Sequence, residues 1–161
     1  MPLFLYSPDG ALVEGIATGY QLSEDGLEYT VFLHPEAVFA RTGDSITSAA
    51  VKSAWEFAAR QPGAQMFLEH ASLIEGMDLV RGKQALEATG LSVIDESTLK
   101  VRLARPRAVW PLEMGLWLMG IFDSKQAMTD PNWEENSNGV GPFIQTLGEN
   151  LVVTPSTHFW W

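Results

Sequence analysis

The chain has 161 residues, 46% of them apolar and 19% charged, enough for one domain with a real core, or for one domain plus a piece of a neighbour. Twenty acidic residues against ten basic give a net charge of -10, a field that repels phosphate backbones and anionic lipid surfaces and excludes nucleic acid as a partner. With no cysteine, disulfides, thiolate nucleophiles and cysteine-based zinc or iron-sulfur sites are excluded as well.

In chain order, the opening MPLFLYSPDG has no basic leader and meets Asp9 early, so a signal peptide is not expected. Ser7 to Gly10 reads as a turn, with proline presetting φ and glycine free to take a positive one. In LSEDGLEYTVFL, Ser23 to Gly26 form a second turn. The strand behind it alternates, Tyr29, Val31 and Leu33 on one face and Thr30 and Phe32 on the other. Thr47 stands at an N-cap position ahead of Val51, Ala54, Trp55 and Ala58, whose spacing predicts a helix that stops before Pro62 and Gly63.

A second helix is expected from about Ala64 to Val80, with Phe67, Ala71, Ile74 and Met77 on its buried side. Gly76 inside it costs about 1 kcal/mol relative to Ala. GLSVIDESTLKVRLARP reads as a hairpin turning at Asp95, Glu96 and Ser97. Leu99, Val101 and Leu103 face the core, and Lys100 and Arg102, with Arg105 and Arg107 beyond, form the wet face and exit rather than a basic binding patch.

WPLEMGLWLMGIF suits a buried helix on which Trp110, Met114, Trp117 and Ile121 share a face. Its apolar run, Met114 to Phe122, is far shorter than the roughly 20 residues needed to span a bilayer, so a soluble chain is expected. After the polar TDPNWEENSNGVGP, two strands, FIQTL and LVVTP, close the chain around Gly148, Glu149 and Asn150. The pattern predicts an α+β fold, an antiparallel sheet with packed helices.

Convergent chemistry is missing from the sequence. His34, His70 and His158 are widely spaced and none has a partner at the spacing of a helical metal site, so no metal and no cofactor are expected. There is no GxSxG elbow, and the GVG at Gly139 to Gly141 runs into Pro142 and a strand, unlike a dinucleotide loop. An enzyme is therefore not expected. The tryptophans are the remaining candidates: Trp55 for the core, Trp110 and Trp117 for core or ligand wall, and Trp160 and Trp161 as a terminal pair that should want cover.

The order of these pieces resembles the extracytoplasmic solute-binding proteins of the peptide and nickel type, family 5, which serve ABC importers. YSPDGALVEGIATGYQLSEDGLEYTVFL is similar to that family's opening, and TGDSITSAAVKSAWEF to its helix, with Gly43, Thr47, Val51, Lys52, Trp55 and Glu56 matching. LIEGMDLVRGK, GLSVIDESTLKVRLARP, and NGVGPF followed by LVVTPSTHFW resemble later segments in the same order. The chain departs from the pattern at Ala40, Arg41 and Thr42, at Ser45, at Ala49 and Ala50, and at Ser156 and Thr157. These positions concern caps and turns and leave the ligand class open.

The resemblance implies the small extra domain plus part of the first lobe of a type II periplasmic-binding-protein fold. Residues 1–15 would join the first lobe, 16–138 would form the small α+β domain, and 139–161 would be a return hairpin toward that lobe. Family members are considerably longer, and their second lobe has no counterpart here, so a fragment or truncated member that binds solute weakly or not at all is expected. The intact protein would be extracytoplasmic, anchored as a lipoprotein, and would hand a short peptide or similar solute to a membrane permease. Trp110 and Trp117 are its candidate apolar wall, and Asn138 a candidate polar contact near the crossover. The alternative is a ligand-sensing domain of the same fold in a cytoplasmic transcription regulator.

Overall fold

A computed structural model describes residues 1–160, so Trp161, one of the expected terminal pair, lies outside the described residues. Its centre is a four-stranded antiparallel sheet of β3 (Ala17–Leu22), β4 (Glu28–Leu33), β5 (Leu91–Asp95) and β6 (Thr98–Arg102), in the order β3-β4-β6-β5. The alternation in LSEDGLEYTVFL sets the register: Tyr29, Val31 and Leu33 are buried, and Val31 sits opposite Leu99 and Tyr29 opposite Val101. A slip by one residue would put all of these in water, so the pairing is strongly specified. On the wet face Lys100 Nζ reaches Glu28 Oε1 at 2.7 Å, and Arg102 lies 3.4 Å from Glu75, as the basic alternation predicts.

Helix α1 (Ser48–Arg60) packs against this sheet with Val51, Ala54, Trp55 and Ala59 buried. Thr47 caps it, its side chain accepting from the Ala50 N–H at 3.2 Å, an interaction of about 1 kcal/mol. Trp55 reaches across the core and donates from Nε1 to the Met119 carbonyl at 3.1 Å. Before the sheet, β1 (Phe4–Tyr6) and β2 (Leu12–Glu14) form a hairpin around the SPDG turn, where Gly10 has φ +84°. After it, β7 (Phe143–Leu147) and β8 (Leu151–Pro155) form a second hairpin outside the main sheet.

Two helices differ from expectation. The segment from Ala64 to Val80 divides into α2 (Gln65–Ala71) and α3 (Met77–Arg81). Between them the backbone turns out to join the sheet: Glu75 N–H donates to Arg102 O at 3.0 Å, Ala104 N–H to Leu73 O at 2.8 Å, and Ile74 bridges Leu103. Gly76 takes φ +76°, a conformation open to glycine, and turns the chain into α3. Sheet pairing thus replaces the helical hydrogen bonds, while Phe67, Ala71, Ile74 and Met77 are all buried as predicted.

The segment from Trp110 to Ile121 is likewise no continuous helix. One turn, α4 (Trp110–Glu113), is followed by a short 3-10 turn at Trp117–Met119 and then by α5 (Ser124–Thr129). Gly115 passes beneath Tyr6, where a Cβ would lie 3.1 Å from the ring and 3.2 Å from the Leu112 carbonyl, and the chain leaves its helical path there. The shared face of Trp110 and Trp117 is lost with it: Trp110 is 0% exposed and Trp117 76%.

Candidate functional site

The three residues singled out from sequence occupy three different settings. Trp110 is the centre of an aromatic series through the core, with its ring centroid 5.2 Å from that of Tyr29 and 6.4 Å from that of Trp55. Tyr20 and Phe4 extend the series from Tyr29 to the β1–β2 hairpin. Its Nε1 has no hydrogen-bond partner among the described residues, so packing alone holds this ring. Trp117, in contrast, stands in water on the 3-10 turn.

Asn138 is 2% exposed and ties the crossover together. Its Oδ1 accepts from the Arg41 N–H at 3.0 Å, and its Nδ2 donates to Thr42 Oγ1 and Asp123 Oδ2, both at 3.1 Å. Its backbone N–H donates to Gln126 Oε1 at 2.8 Å, and its carbonyl accepts from Asp123 N at 3.0 Å. Asp123 Oδ1 meanwhile caps α5. Arg41 then reaches the closing hairpin, Nη2 donating to the Gln145 carbonyl at 2.8 Å, and the Ser156 hydroxyl donates to the Ala40 carbonyl at 2.6 Å. Three positions where the chain departs from the family pattern, Ala40, Arg41 and Ser156, thus join the β7–β8 hairpin to the segment before α1, and a fourth, Thr42, holds Asn138.

Sequence reading missed one buried ionic joint. Glu113 on α4 is 6% exposed and takes a forked pair from Arg107, Nε lying 2.9 Å from Oε1 and 2.8 Å from Oε2, with Nη2 also on Oε1. His70 Nδ1 of α2 lies 3.2 Å from Oε1 on another side. Burial pushes the Glu113 carboxyl up, but the Arg107 and His70 hydrogen bonds and charges outweigh it and hold it below the ordinary carboxylate range. The contribution of a depressed carboxyl is present above its unfolded value of about 4.3 and is lost as pH falls through the lower folded value. Glu113→Gln should therefore cost about 2 kcal/mol near neutrality and flatten the loss of stability between pH 5 and pH 3 in urea titrations. Arg107 with Glu113 six residues on gave no helical-spacing signal, because the two meet across a loop.

Glu56, a family-matching position, is 6% exposed and accepts from the Ala88 N–H at 2.8 Å, tying α1 to the loop before β5. Burial pushes its carboxyl up. A surface cavity of about 380 Å³ opens beside the start of α1, lined among others by Phe39, Asp44, Ser45, Thr47 and Lys125, and none of Trp110, Trp117 and Asn138 lines it. Among the described residues, no group of three or more His, Asp or Glu is placed to hold a metal ion, and no helix is long and apolar enough to cross a membrane.

Residues 11–161 match the sequence profile of the bacterial extracellular solute-binding proteins, family 5 (middle). The chain belongs to this family. Among curated proteins it is 26% identical over 160 residues to the oligopeptide-binding protein OppA of Bacillus subtilis, and 26% identical over 161 residues to the periplasmic murein peptide-binding protein MppA of Escherichia coli. Each alignment covers 94% of this chain and 29% of the relative, so the chain spans under a third of their length.

Solved structures share the fold. The substrate-binding domain of an oligopeptide ABC transporter from Bacillus anthracis superposes with a TM-score of 0.84 at 21% identity, over 99% of this chain and 32% of its own. Listeria monocytogenes OppA bound to peptide gives 0.83 at 20% identity, covering 99% of this chain and 33% of that one. AgaA from A. tumefaciens, solved with agropinic acid, gives 0.78 at 23% identity over 99% of this chain and 30% of its own. The mixed helix and sheet architecture with antiparallel sheets is therefore part of the periplasmic-binding-protein fold, and the family is one of solute-binding proteins rather than enzymes.

Proposed function

We propose that this chain is part of an extracytoplasmic, lipoprotein-anchored ABC-importer component that captures oligopeptides or a similar small solute and presents it to a membrane permease. The family match over residues 11–161 carries this reading, and the names of the curated relatives, both peptide binders, support the solute class. In this reading residues 16–138 form the small domain, while 1–15 and 139–161 run toward the first lobe. Capture is mechanical: a solute is enclosed as two bodies close about a hinge, held mainly through backbone hydrogen bonds, with no bond made or broken. The 161 residues alone supply one side of such a cleft and bind solute weakly or not at all.

Of the three candidates, Trp117 is the one with surface to offer a ligand. Trp110 and Asn138 support the frame, one fully packed and the other with its amide fully bonded. In the longer protein that contains this segment, Trp117→Ala should weaken binding of a short peptide about tenfold, near 1.4 kcal/mol, with the melting temperature unchanged. Calorimetry beside thermal unfolding checks both. A fall in stability with affinity intact would assign Trp117 to packing instead.

A further inference from the structure

Asn138 and Gly139 form the one Asn-Gly step in the chain. Asparagine is a chemically labile residue, and a following glycine leaves the backbone nitrogen free to approach the amide carbon. After Asn132, Asn136 and Asn150 come Trp133, Ser137 and Leu151, whose side chains crowd that approach. The Gly139 N–H donates to nothing among the described residues, so the attacking nitrogen is unengaged. What holds the reaction back lies on the Asn138 side.

Its buried amide is held at three points, by the Arg41 N–H, Thr42 Oγ1 and Asp123 Oδ2. The flanking backbone is pinned as well, the Asn138 carbonyl accepting from Asp123 N–H at 3.0 Å and the Gly139 carbonyl from Ala40 N–H at 2.9 Å. To bring Cγ onto the Gly139 nitrogen, the side chain must swing about its Cα–Cβ bond and leave all three partners together. Each bond biases the equilibrium roughly fivefold, so the open form falls to about one molecule in a hundred or fewer.

We propose that Asn138 is a deamidation site, protected while the crossover is closed and open to attack when it parts, and that conversion there is one-way. The Gly139 nitrogen bonds to Cγ of Asn138, the bond from Cγ to Nδ2 breaks, and ammonia leaves with the proton that Gly139 gives up. Water then opens the succinimide ring at either carbonyl, leaving aspartate or isoaspartate. Neither product fits the site. Nδ2 is the donor to Thr42 Oγ1 and Asp123 Oδ2, both at 3.1 Å, and the oxygen that replaces it sets a second carboxylate against Asp123. Two carboxylates that close resist being ionised together. Arg41 offers no relief: it lends Asn138 its backbone N–H, while its guanidinium is turned to the Gln145 carbonyl and Thr146 Oγ1. The tie from the Asp123 cap of α5 through Asn138 to Arg41 is then cut and does not re-form.

Incubation of the 161-residue chain at mildly alkaline pH, native and in urea, tests this, with peptide mass mapping reading the exchange of amide NH2 for OH. Conversion at Asn138 is expected in both, about a hundredfold slower or more in the native chain. Thr42→Val removes one partner of the amide and should speed the native rate about fivefold, leaving the rate in urea unchanged. Gly139→Ala should slow conversion in urea, a methyl group standing where the ring must close. The fold has room for it, since nothing lies within 4 Å of a Cβ there and the backbone needs no positive φ. Asn138→Asp carries the product directly, and amide exchange should show Arg41 and Asp123 unprotected while the β4–β6 pairing is kept. Equal rates in the native chain and in urea would overturn the proposal, as would conversion at Asn136 or Asn150 with none at Asn138. So would a native rate indifferent to Thr42→Val, or an Asn138→Asp chain whose Arg41 and Asp123 amides stay protected.

Discussion

Trp110→Ala is expected to cost about 4 kcal/mol, the scale seen when a large buried aromatic is truncated and its site cannot collapse. The ring is fully enclosed and contacts Tyr29 of β4 and Trp55 of α1, so its loss opens a void between sheet and helix that rigid backbone on both sides would keep open. Trp117→Ala, seven residues on, should change stability by less than about 0.5 kcal/mol, as at other exposed positions. Urea unfolding of both variants measures the contrast. Losses of similar size would mean that the two indoles share a buried face after all.

Gly90→Ala should be nearly as damaging, at about 3 kcal/mol, for a different reason. A Cβ there would lie 2.5 Å from Arg102 O and 2.7 Å from Glu75 N, both backbone atoms. Gly90 is wedged between the two segments it bonds, its N–H donating to Glu75 O at 2.8 Å and its carbonyl accepting from Arg102 N at 2.8 Å. A methyl group must part the sheet from the turn that enters α3. Gly148→Ala is the control, since nothing lies within 4 Å of a Cβ there, and its effect should stay within about 0.5 kcal/mol. Amide exchange should show the loss of protection at Glu75, Gly90 and Arg102 in the Gly90 variant alone.

Where period and capping agreed, the fold was readable in advance. Thr47 with the Val51–Trp55 spacing marked α1, and strict alternation marked β4 and β6, because each pattern admits one buried face. The reading failed at Gly76 and Gly115, where a glycine within an apolar run permits two outcomes. Long-range pairing chose between them: Glu75 found Arg102, far along the chain, and Gly115 let Tyr6 pack close. Apolar spacing still identified which side chains are buried between Ala64 and Val80, though the helix through them was wrong.

The site was less legible than the fold. Aromatic residues at helical spacing left core packing and a ligand wall both open, and the broken helix sets Trp110 in the core and Trp117 outside it. Asn138 drew attention through its place beside the glycine-rich crossover, and its partners, Arg41, Thr42 and Asp123, come from distant segments that no local spacing could join. The ordered resemblance across the chain identified the family because it drew on the whole sequence rather than on any one contact.

Titration calorimetry with a short peptide, on these 161 residues and on the longer protein containing them, tests most directly the claim that this chain is one side of a two-bodied solute trap. No heat of binding is expected from the 161-residue chain and micromolar affinity from the longer protein. Micromolar binding to the 161-residue chain by itself would contradict the account.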